Sequence, residues 1–476
     1  MPHILAVRTG QPSVVCGGSR HAVAIVDALR ACVATERVAT ACVASVCVAS
    51  VCIVSACTPL TVQHPLQVTG PHIAIGQRER RAPQEAIRAY DSFWAAITAL
   101  DLRMGWILAD DADQRHFTDG LDAMLRGIPD SAEAIITPLL VSNDANVRAA
   151  ARLTYGAMLS ADGRWGQLAH YADSAVRITP DSAGVESWAP AFRDITRTAE
   201  FGDTVAILPL ERSAATGAPI VPVVINGKTK RFWLDTGSSI TILSSDVAQE
   251  CNVTSLGRDT LQLLTSVGRL PARPALVRSL RVGGLTLTSM PAMIVRGESL
   301  RIHPNAPRAA ADEAIDGVLG FDVIRTMDLT IDDLRGRVIV RKPTVREAGT
   351  RNLSWFGVPI VTLRTESGVP VHLALDTGSE ETFGTRALVI KTGASWSPAE
   401  RRRVRGFGGA VVEPGIVIRK ARLFLGTTPV EFEDIFLYVA QYPTLFALDG
   451  TLGNDIARGG VLRIDMTNGV VEVASK

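Results

Sequence analysis

The sequence predicts a multidomain protein in which an α-helical domain is followed by an all-β domain with two matching halves. Three observations lead to this prediction. Between residues 82 and 200, apolar residues recur every three or four positions, as on the buried face of a helix. From residue 204 onward, short runs of alternating apolar and polar residues are separated by turn residues, as in strands. The tetrapeptide Asp-Thr-Gly-Ser occurs twice in this second part, at 235–238 and at 376–379.

The composition is that of a globular protein and points away from several functions. With 476 residues, 47% hydrophobic and 20% charged, the chain is long enough for two or three domains. A net charge of +1 gives no field that would attract nucleic acid. Six of the seven cysteines lie within the first 57 residues, and no Cys-x-x-Cys pair occurs. We therefore predict no zinc site and no cofactor.

The amino-terminal segment, residues 1–57, has the pattern of a secretory signal. An apolar or small-residue run at 38–56 follows an arginine, as in signals rather than folded elements. The run ends in Val-Ser-Ala-Cys, which resembles a bacterial lipobox and implies that Cys57 is lipidated. A plain cleaved signal and an uncleaved anchor are the alternatives. Because ordinary signals have a shorter stretch before the apolar run, we expect translation to start further downstream.

The lipobox resemblance predicts where the protein resides. Thr58 rather than aspartate follows the cysteine, which favours the outer membrane. We therefore expect a lipid-anchored protein of the bacterial cell envelope that faces the periplasm. Residues 58–81 contain mixed residues with proline and glycine, and are expected to form a linker.

The helical domain, residues 82–200, has two interpretations. One is a helical bundle whose core includes three tryptophans: Trp94, Trp106 and Trp165. The other is a tetratricopeptide-like region, because Gly156, Ala175 and Pro180 match the spacing of that repeat. Only one copy fits the repeat pattern acceptably, whereas a stable array of such repeats needs about three copies. Under either interpretation, we expect this domain to bind a protein partner or to position the rest of the molecule.

The all-β part contains two copies of one unit, at residues 204–345 and 352–476. In each copy a strand, a turn and a second strand lead into the Asp-Thr-Gly-Ser sequence. A turn glycine precedes the aspartate by 8 residues in both copies, and another glycine follows it by 33. Each copy then contains an Asp-Gly-x-Leu-Gly sequence, at 316–320 and 449–453, whose last glycine precedes another aspartate by 12. These repeated offsets indicate an internal duplication.

Paired carboxylates from two matching halves suit hydrolysis by an activated water. Two carboxylates a few ångströms apart cannot both ionise cheaply, so they share one proton and act as an acid–base pair. Asp235 and Asp376 are the candidates, one from each copy. Two glycines and two serines are expected to support them, by a sharp turn and by hydrogen bonds to the carboxylates: Gly237, Gly378, Ser238 and Ser379.

At these positions the sequence resembles the pepsin and retropepsin superfamily, and specifically the bacterial two-lobed retropepsin-like peptidases. Both copies carry apolar or small residues before the aspartate, and both carry a second element ending in glycine, at 318–320 and, with one polar substitution, at 451–453. The resemblance implies a two-lobed, all-β aspartic peptidase (acid protease) fold. It also implies that Thr236 and Thr377 hydrogen-bond between the lobes.

The resemblance further implies two hairpins that fold over substrate as flaps. Their tips would lie near five residues: Val267, Gly268, Phe407, Gly408 and Gly409. The first hairpin has no tyrosine where pepsin-like enzymes use one, and we expect Phe407 of the second to substitute. Glu380 and Glu381 follow the second Asp-Thr-Gly-Ser sequence, and their charge would raise the pKa values of the dyad and shift activity toward neutral pH.

The sequence therefore predicts an aspartic endopeptidase that cleaves proteins or peptides as a monomer. One alternative is a non-catalytic, peptide-binding envelope lipoprotein with a helical scaffold. Two intact aspartates argue against it, because a decayed enzyme would be expected to lose one. A second alternative keeps the chemistry but pairs the halves between two chains, as in retroviral dimers. The short link between the copies favours pairing within one chain.

Overall fold

The fold is known from a computed structural model that describes most of the chain after residue 71. The described residues are 72–175, 185–257, 260–265, 268–302, 313–346, 351–399, 401–407, 409–438, 442 and 444–475. The predicted signal segment, with Cys57, lies outside them, as does most of the predicted linker. No helix among the described residues is long and apolar enough to cross a membrane.

A helical region comes first, as the periodicity predicts. Its helices are α1 (Phe93–Thr98), α2 (Leu102–Leu108), α3 (Ala112–Leu125), α4 (Pro129–Leu139), α5 (Ala145–Ala161), α6 (Trp165–Ala175) and α7 (Val185–Phe192). Four of them begin after a side chain that accepts a hydrogen bond from the first turn: Ser92, Asp101, Asp111 and Asp144. These capping residues explain why the helices start where they do.

The start of the helical region differs from the prediction. The periodic pattern starts at residue 82, but the first helix, α1, begins at Phe93, and the residues before it are extended or irregular. The amide of Ala86 donates instead to the carbonyl of Gly368, 3.0 Å away. This contact with the β region uses a backbone donor that a helix would have used internally, so tertiary structure overrides the local pattern.

The predicted tryptophan core is partly wrong. Trp165 is buried, but Trp106 is 49% exposed and lies beside the guanidinium of Arg115, 5.8 Å from its ring centroid. A tryptophan whose ring covers an arginine side chain at the surface can occur at the same helical spacing as a tryptophan in the core. The tetratricopeptide interpretation stays a prediction, because Gly156 and Ala175 lie in successive helices but Pro180 is outside the described residues.

The described strands belong to the β region, and all but β1 follow the helices. Up to residue 346 they are β1 (His72–Ile75), β2 (Thr198–Phe201), β3 (Val205–Pro209), β4 (Glu211–Arg212), β5 (Pro219–Ile225), β6 (Lys228–Leu234), β7 (Ile242–Ser244), β8 (Thr254–Ser255), β9 (Leu261–Thr265), β10 (Gly268–Val282), β11 (Leu285–Val295), β12 (Arg301–Ile302), β13 (Glu313–Ala314), β14 (Gly317–Leu319), β15 (Asp328–Asp332) and β16 (Arg337–Arg341). The short helices α8 (Ser245–Glu250) and α9 (Phe321–Ile324) lie between them.

The remaining strands repeat the same succession. They are β17 (Leu353–Trp355), β18 (Pro359–Thr365), β19 (Pro370–Leu375), β20 (Phe383–Gly384), β21 (Trp396–Pro398), β22 (Arg402–Gly406), β23 (Gly409–Glu413), β24 (Ile416–Leu425), β25 (Thr428–Leu437), β26 (Gly450–Leu452), β27 (Val461–Asp465) and β28 (Val470–Ala474), with helix α10 (Arg386–Thr392). The described 3-10 turns are Gly297–Leu300, Asp333–Arg335 and Asn454–Ala457.

Two closed sheets of matching connectivity form most of the β region. In the first, the strands run β11-β7-β14-β6-β5-β10, and β10 pairs with β11 to close the ring. In the second, the order is β25-β20-β26-β19-β18-β24, and β24 pairs with β25. A separate sheet, β28-β27-β15-β16-β3, joins strands from the ends of both copies. The predicted strand–turn–strand units are confirmed as the pairs β5–β6 and β18–β19.

The predicted linker is partly structured, contrary to expectation. Strand β1 pairs antiparallel with β25, with Ile73 opposite Phe432. The pairing continues beyond the strand, because the amide of Gly76 donates to the carbonyl of Pro429 at 2.8 Å. Alternating isoleucines, Ile73 and Ile75, pack against the core of the second sheet. Four residues carry too weak a period-two signal to be recognised from sequence.

Candidate active site

The two aspartates of the repeated tetrapeptide occupy equivalent positions in the two closed sheets. Asp235 follows β6, which pairs parallel with β14, and its amide donates to the carbonyl of Leu319 at 3.1 Å. Asp376 follows β19, which pairs parallel with β26, and its amide donates to the carbonyl of Leu452 at 2.9 Å. The repeated Leu-Gly element therefore fixes the start of each loop.

The loops carrying the two aspartates face each other at very short range. A Cβ placed on Gly237 would lie 2.5 Å from Cγ of Asp376, and a Cβ on Gly378 would lie 2.5 Å from Cγ of Asp235. Real Cβ atoms do not approach other atoms so closely. Each glycine is thus needed because the opposite carboxyl occupies the space that a side chain would fill.

Reciprocal hydrogen bonds between the two threonines join the loops. The amide of Thr236 donates to Oγ1 of Thr377 at 3.1 Å, and the amide of Thr377 donates to Oγ1 of Thr236 at 2.9 Å. Each hydroxyl in turn donates across to a strand carbonyl at 2.7 Å, Thr236 to Leu375 and Thr377 to Leu234. Both threonines are buried, so this four-bond arrangement holds the aspartates at a fixed separation.

Each carboxylate is oriented by backbone amides of its own loop. Oδ1 of Asp235 accepts from the amides two and three residues on, at 2.9 and 3.2 Å, and Oδ1 of Asp376 does the same at 3.1 and 3.0 Å. The predicted role of the serine hydroxyls is wrong. Ser238 Oγ donates to the carbonyl of Ile240, and Ser379 Oγ to that of Glu381. Their amides, rather than their hydroxyls, hold the carboxylates.

The electrostatics of the pair favour a shared proton. Burial raises the pKa of both carboxyl groups, and the negative charge of Asp376 raises the pKa of Asp235 further. A hydrogen bond between the two side chains raises the pKa of Asp235 and lowers that of Asp376. The two carboxyls therefore titrate as a pair and share one proton when the pair carries one negative charge.

Tyr442 is a site residue that the sequence does not predict. Its hydroxyl donates to Oδ2 of Asp376 at 3.2 Å and lies 3.1 Å from Oγ1 of Thr451. The hydrogen bond lowers the pKa of Asp376, while burial and the carboxylate raise the pKa of Tyr442 well above its usual value. Tyr442 lies seven residues before Asp449, and the matching position before Asp316 is Ala309, so the duplication gave no signal for the tyrosine.

A second pair of supporting residues was also missed, although a signal existed. Thr241 binds the carboxylate of Asp322 through its amide at 3.0 Å and its hydroxyl at 2.9 Å. Thr382 binds Asp455 in the same way, at 2.7 Å in both bonds. Each threonine lies six residues after a catalytic candidate, and each aspartate two residues after the repeated Leu-Gly element. Extending the comparison of the two copies would have found them.

Residues 221–323 match the family model for aspartyl protease. The matched segment contains Asp235 and the first Leu-Gly element, and it ends before Asp376. It supports assignment of this segment to the aspartic peptidase superfamily. No curated protein matches the chain.

Residues 221–323 contribute to a cleft of about 1170 Å³ that contains both candidate carboxylates. Two hairpins reach it: β9–β10, through Leu263 and Leu270, and β22–β23, through Val404 and Phe407. Of the predicted flap residues, Gly268, Phe407 and Gly409 lie in these hairpins, whereas Val267 and Gly408 are outside the described residues. The ring of Phe407 packs against Trp233, with centroids 5.4 Å apart.

The helical region forms one wall of the same cleft. Ala157 of α5, Trp165 of α6 and Trp188 of α7 all line it. The indole nitrogen of Trp188 donates to the carbonyl of Gln262 in β9 at 3.3 Å, and its ring shares a hydrophobic cluster with Leu263. One hairpin is thus fixed against the helical region.

The negative charges of Glu380 and Glu381 were expected to raise the pKa values of the two aspartates, but they are not the main cause. The carboxylate of Glu381 forms an ion pair with Arg402, and the guanidinium of Arg458 donates to the carbonyl of Glu380 at 3.0 Å. Burial is the leading cause that raises the pKa of both aspartates. The charge of Asp376 raises the pKa of Asp235 further, whereas the hydrogen bond from Asp235 lowers that of Asp376. No group of three or more His, Cys, Asp or Glu side chains in the described part of the chain is placed to bind a metal ion.

Proposed function

We propose that the protein is an aspartic endopeptidase in which Asp235 and Asp376, one from each of two lobes of a single chain, activate a water for peptide hydrolysis. The observation that carries the proposal is the reciprocal approach of the two loops, in which each glycine leaves room for the opposite carboxyl. The raised pKa values of both carboxyls and their position in one cleft add support. Two carboxyl groups that share a proton and line a cleft are suited to acid–base catalysis.

The two carboxyls take different roles in the first step. Asp376 is ionised, because the hydroxyl of Tyr442 stabilises its charge and Asp235 has no such donor among the described residues, and it accepts a proton from the water. Asp235 is protonated and donates to the carbonyl oxygen of the substrate. The water oxygen bonds to the carbonyl carbon, which gives a neutral tetrahedral diol.

The second step restores the starting state. The proton on Asp376 passes to the amide nitrogen, the C–N bond breaks, and a hydroxyl proton of the diol returns to Asp235. The products are a carboxylic acid and an amine. The carboxylates need no movement between steps, because the threonine hydrogen bonds fix their loops.

Several further features belong to the proposal. The hairpins β9–β10 and β22–β23 act as flaps, of which the first is held by the helical region and the second carries Phe407. The helical region positions substrate or a protein partner as a wall of the cleft. Residues 38–57 direct the protein to the bacterial envelope, with lipidation at Cys57, on the grounds of sequence alone.

Peptide cleavage by the full chain tests the proposal. A broad peptide library is incubated at pH 3 to 8 with the wild type, Asp235→Asn, Asp376→Asn and the control Asp246→Asn, whose side chain is exposed on α8. We expect each dyad variant to lose at least about a hundredfold in rate, and the control to match the wild type. If the folded wild type binds peptides but cleaves none, the protein is a peptide-binding module and the proposal is wrong.

A further inference from the structure

The cleft contains a second polar centre that the proposed mechanism does not use. Arg325, directly after α9, lines the cleft, and its guanidinium lies over the ring of Trp355, 5.0 Å from the centroid. Its buried Nη1 atom has no hydrogen-bond partner among the described residues. A buried guanidinium nitrogen without a partner is costly, which singles this residue out.

A second arginine lies beside it. Arg197 also lines the cleft, and its Nη1 donates to the carbonyl of Asp322 at 2.9 Å. Burial, with a smaller contribution from the positive charge of Arg197, lowers the pKa of Arg325 to about 10. Both guanidinium groups therefore line one cleft, and Arg197 is anchored to a backbone carbonyl three residues before Arg325.

The neighbouring carboxylates do not neutralise Arg325 by direct contact. Asp322 already accepts three hydrogen bonds, two from Thr241 and one from the amide of Val323. Asp162, which ends α5, interacts with Arg325 only through its charge. In the described part of the chain, neither carboxylate forms an ion pair with Arg325. The donor capacity of the guanidinium is therefore left for a group that enters the cleft.

Arg325 is held at a fixed position relative to the dyad. The amide of Phe321, at the start of α9, donates to the carbonyl of Ser238 at 2.7 Å, and the amide of Arg325 donates to the carbonyl of Phe321 at 2.9 Å. Two hydrogen bonds thus connect the Asp235 loop to the backbone of Arg325. A substrate held at Arg325 would be held in register with the scissile bond.

We propose that Arg325 and Arg197 form a subsite that binds a carboxylate of the peptide substrate. The planar guanidinium of Arg325 matches a carboxylate in shape and offers paired donors. Trp355 holds the guanidinium in place from one side. The inference rests on the proposed peptidase function, and it specifies the substrate as a peptide with an acidic side chain or a nearby free carboxyl terminus.

Paired peptides and a binding assay test this subsite separately from catalysis. Each peptide carries glutamate or glutamine at a varied distance from the scissile bond, and each is made with a free and an amidated carboxyl terminus. The ratio of kcat/KM between charged and neutral partners is measured for wild type, Arg325→Gln, Arg197→Gln and Arg278→Gln. Arg278 is exposed on β10 and lies outside the lining of the cleft. Binding of the same peptides to Asp235→Asn is measured by fluorescence anisotropy.

We expect the wild type and Arg278→Gln to favour the charged peptide by at least about tenfold, and the ratio to fall toward one in Arg325→Gln and Arg197→Gln. A preference for glutamate over glutamine identifies the bound carboxylate as a side chain. A preference for the free over the amidated terminus identifies it as the chain terminus. No preference in the wild type, or an unchanged preference in the arginine variants that fold, would overturn the subsite. Carboxylate-dependent binding without cleavage would retain the subsite and refute the peptidase.

Discussion

The hydroxyl of Tyr442 should set the acidic limb of the activity profile. It donates to Oδ2 of Asp376, and this bond stabilises the ionised form that the mechanism needs. Tyr442→Phe removes the bond and raises the pKa of Asp376, so the competent state with one negative charge is lost at a higher pH. Activity on the acidic side therefore falls, while the alkaline side changes little.

The size of the effect follows from the geometry. A hydrogen bond to a charged group contributes about 1.5–3 kcal/mol. At 3.2 Å this bond is longer than the usual O–H···O range, and the hydroxyl also lies 3.1 Å from Thr451, so the lower value applies. About 1.4 kcal/mol corresponds to one pH unit, and we expect the acidic limb to move upward by about that much.

The assay is kcat/KM from pH 3 to 8 for wild type, Tyr442→Phe and Tyr438→Phe. Tyr438 lines the same cleft and packs against Phe383, but it is not among the hydrogen-bond partners of either dyad carboxylate. The control profile should superimpose on the wild type. If the Tyr442→Phe profile superimposes as well, the hydroxyl does not contact an ionised Asp376 in the working enzyme, and the assignment of the proton to Asp235 loses its main support.

Three further predictions concern packing and buried charge. Gly378→Ala places a Cβ 2.5 Å from Cγ of Asp235 and should lower kcat/KM at least about a hundredfold, whereas Gly202→Ala, with its nearest atom 4.0 Å away, should not. Lys391→Met leaves Asp449 buried without its 2.7 Å partner and should cost about 3–5 kcal/mol in chemical denaturation; a loss below about 1 kcal/mol would contradict this. Because the folded-state pKa of Asp235 is raised, its contribution to stability is lost as pH rises through that pKa. Asp235→Asn should therefore unfold at a higher temperature than wild type at neutral pH and near the same temperature in acid, and equal midpoints at neutral pH would contradict the shift.

The duplication made the centre of the β region predictable from sequence. Matched offsets around Asp235 and Asp376 located both hairpins and both Leu-Gly elements, because a repeated unit has to reproduce its backbone hydrogen bonds. The same comparison, taken six residues further, would have added Thr241 and Thr382. Repetition reveals only what both copies share, so Tyr442 was invisible to it.

Features that depend on contacts between distant segments could not be predicted. Strand β1 is too short to show a period, and it forms because β25 offers an edge for it. The late start of α1 reflects a backbone bond from Ala86 to Gly368, nearly three hundred residues away. The bond from Arg197 to the carbonyl of Asp322, at the start of α9, likewise forms only when the helical region packs beside that helix. None of these has a local signature in the chain.

Hydrolysis by an equimolar mixture of Asp235→Asn and Asp376→Asn, assayed beside the wild type and each variant alone, tests the dyad within one chain most directly. The variants are unfolded and refolded together, so that any pairing between chains can form. The predicted result is cleavage by the wild type alone, with the mixture at least about a hundredfold slower. Activity regained in the mixture would place the dyad between chains, and activity kept by either single variant would show that the two carboxylates do not act together.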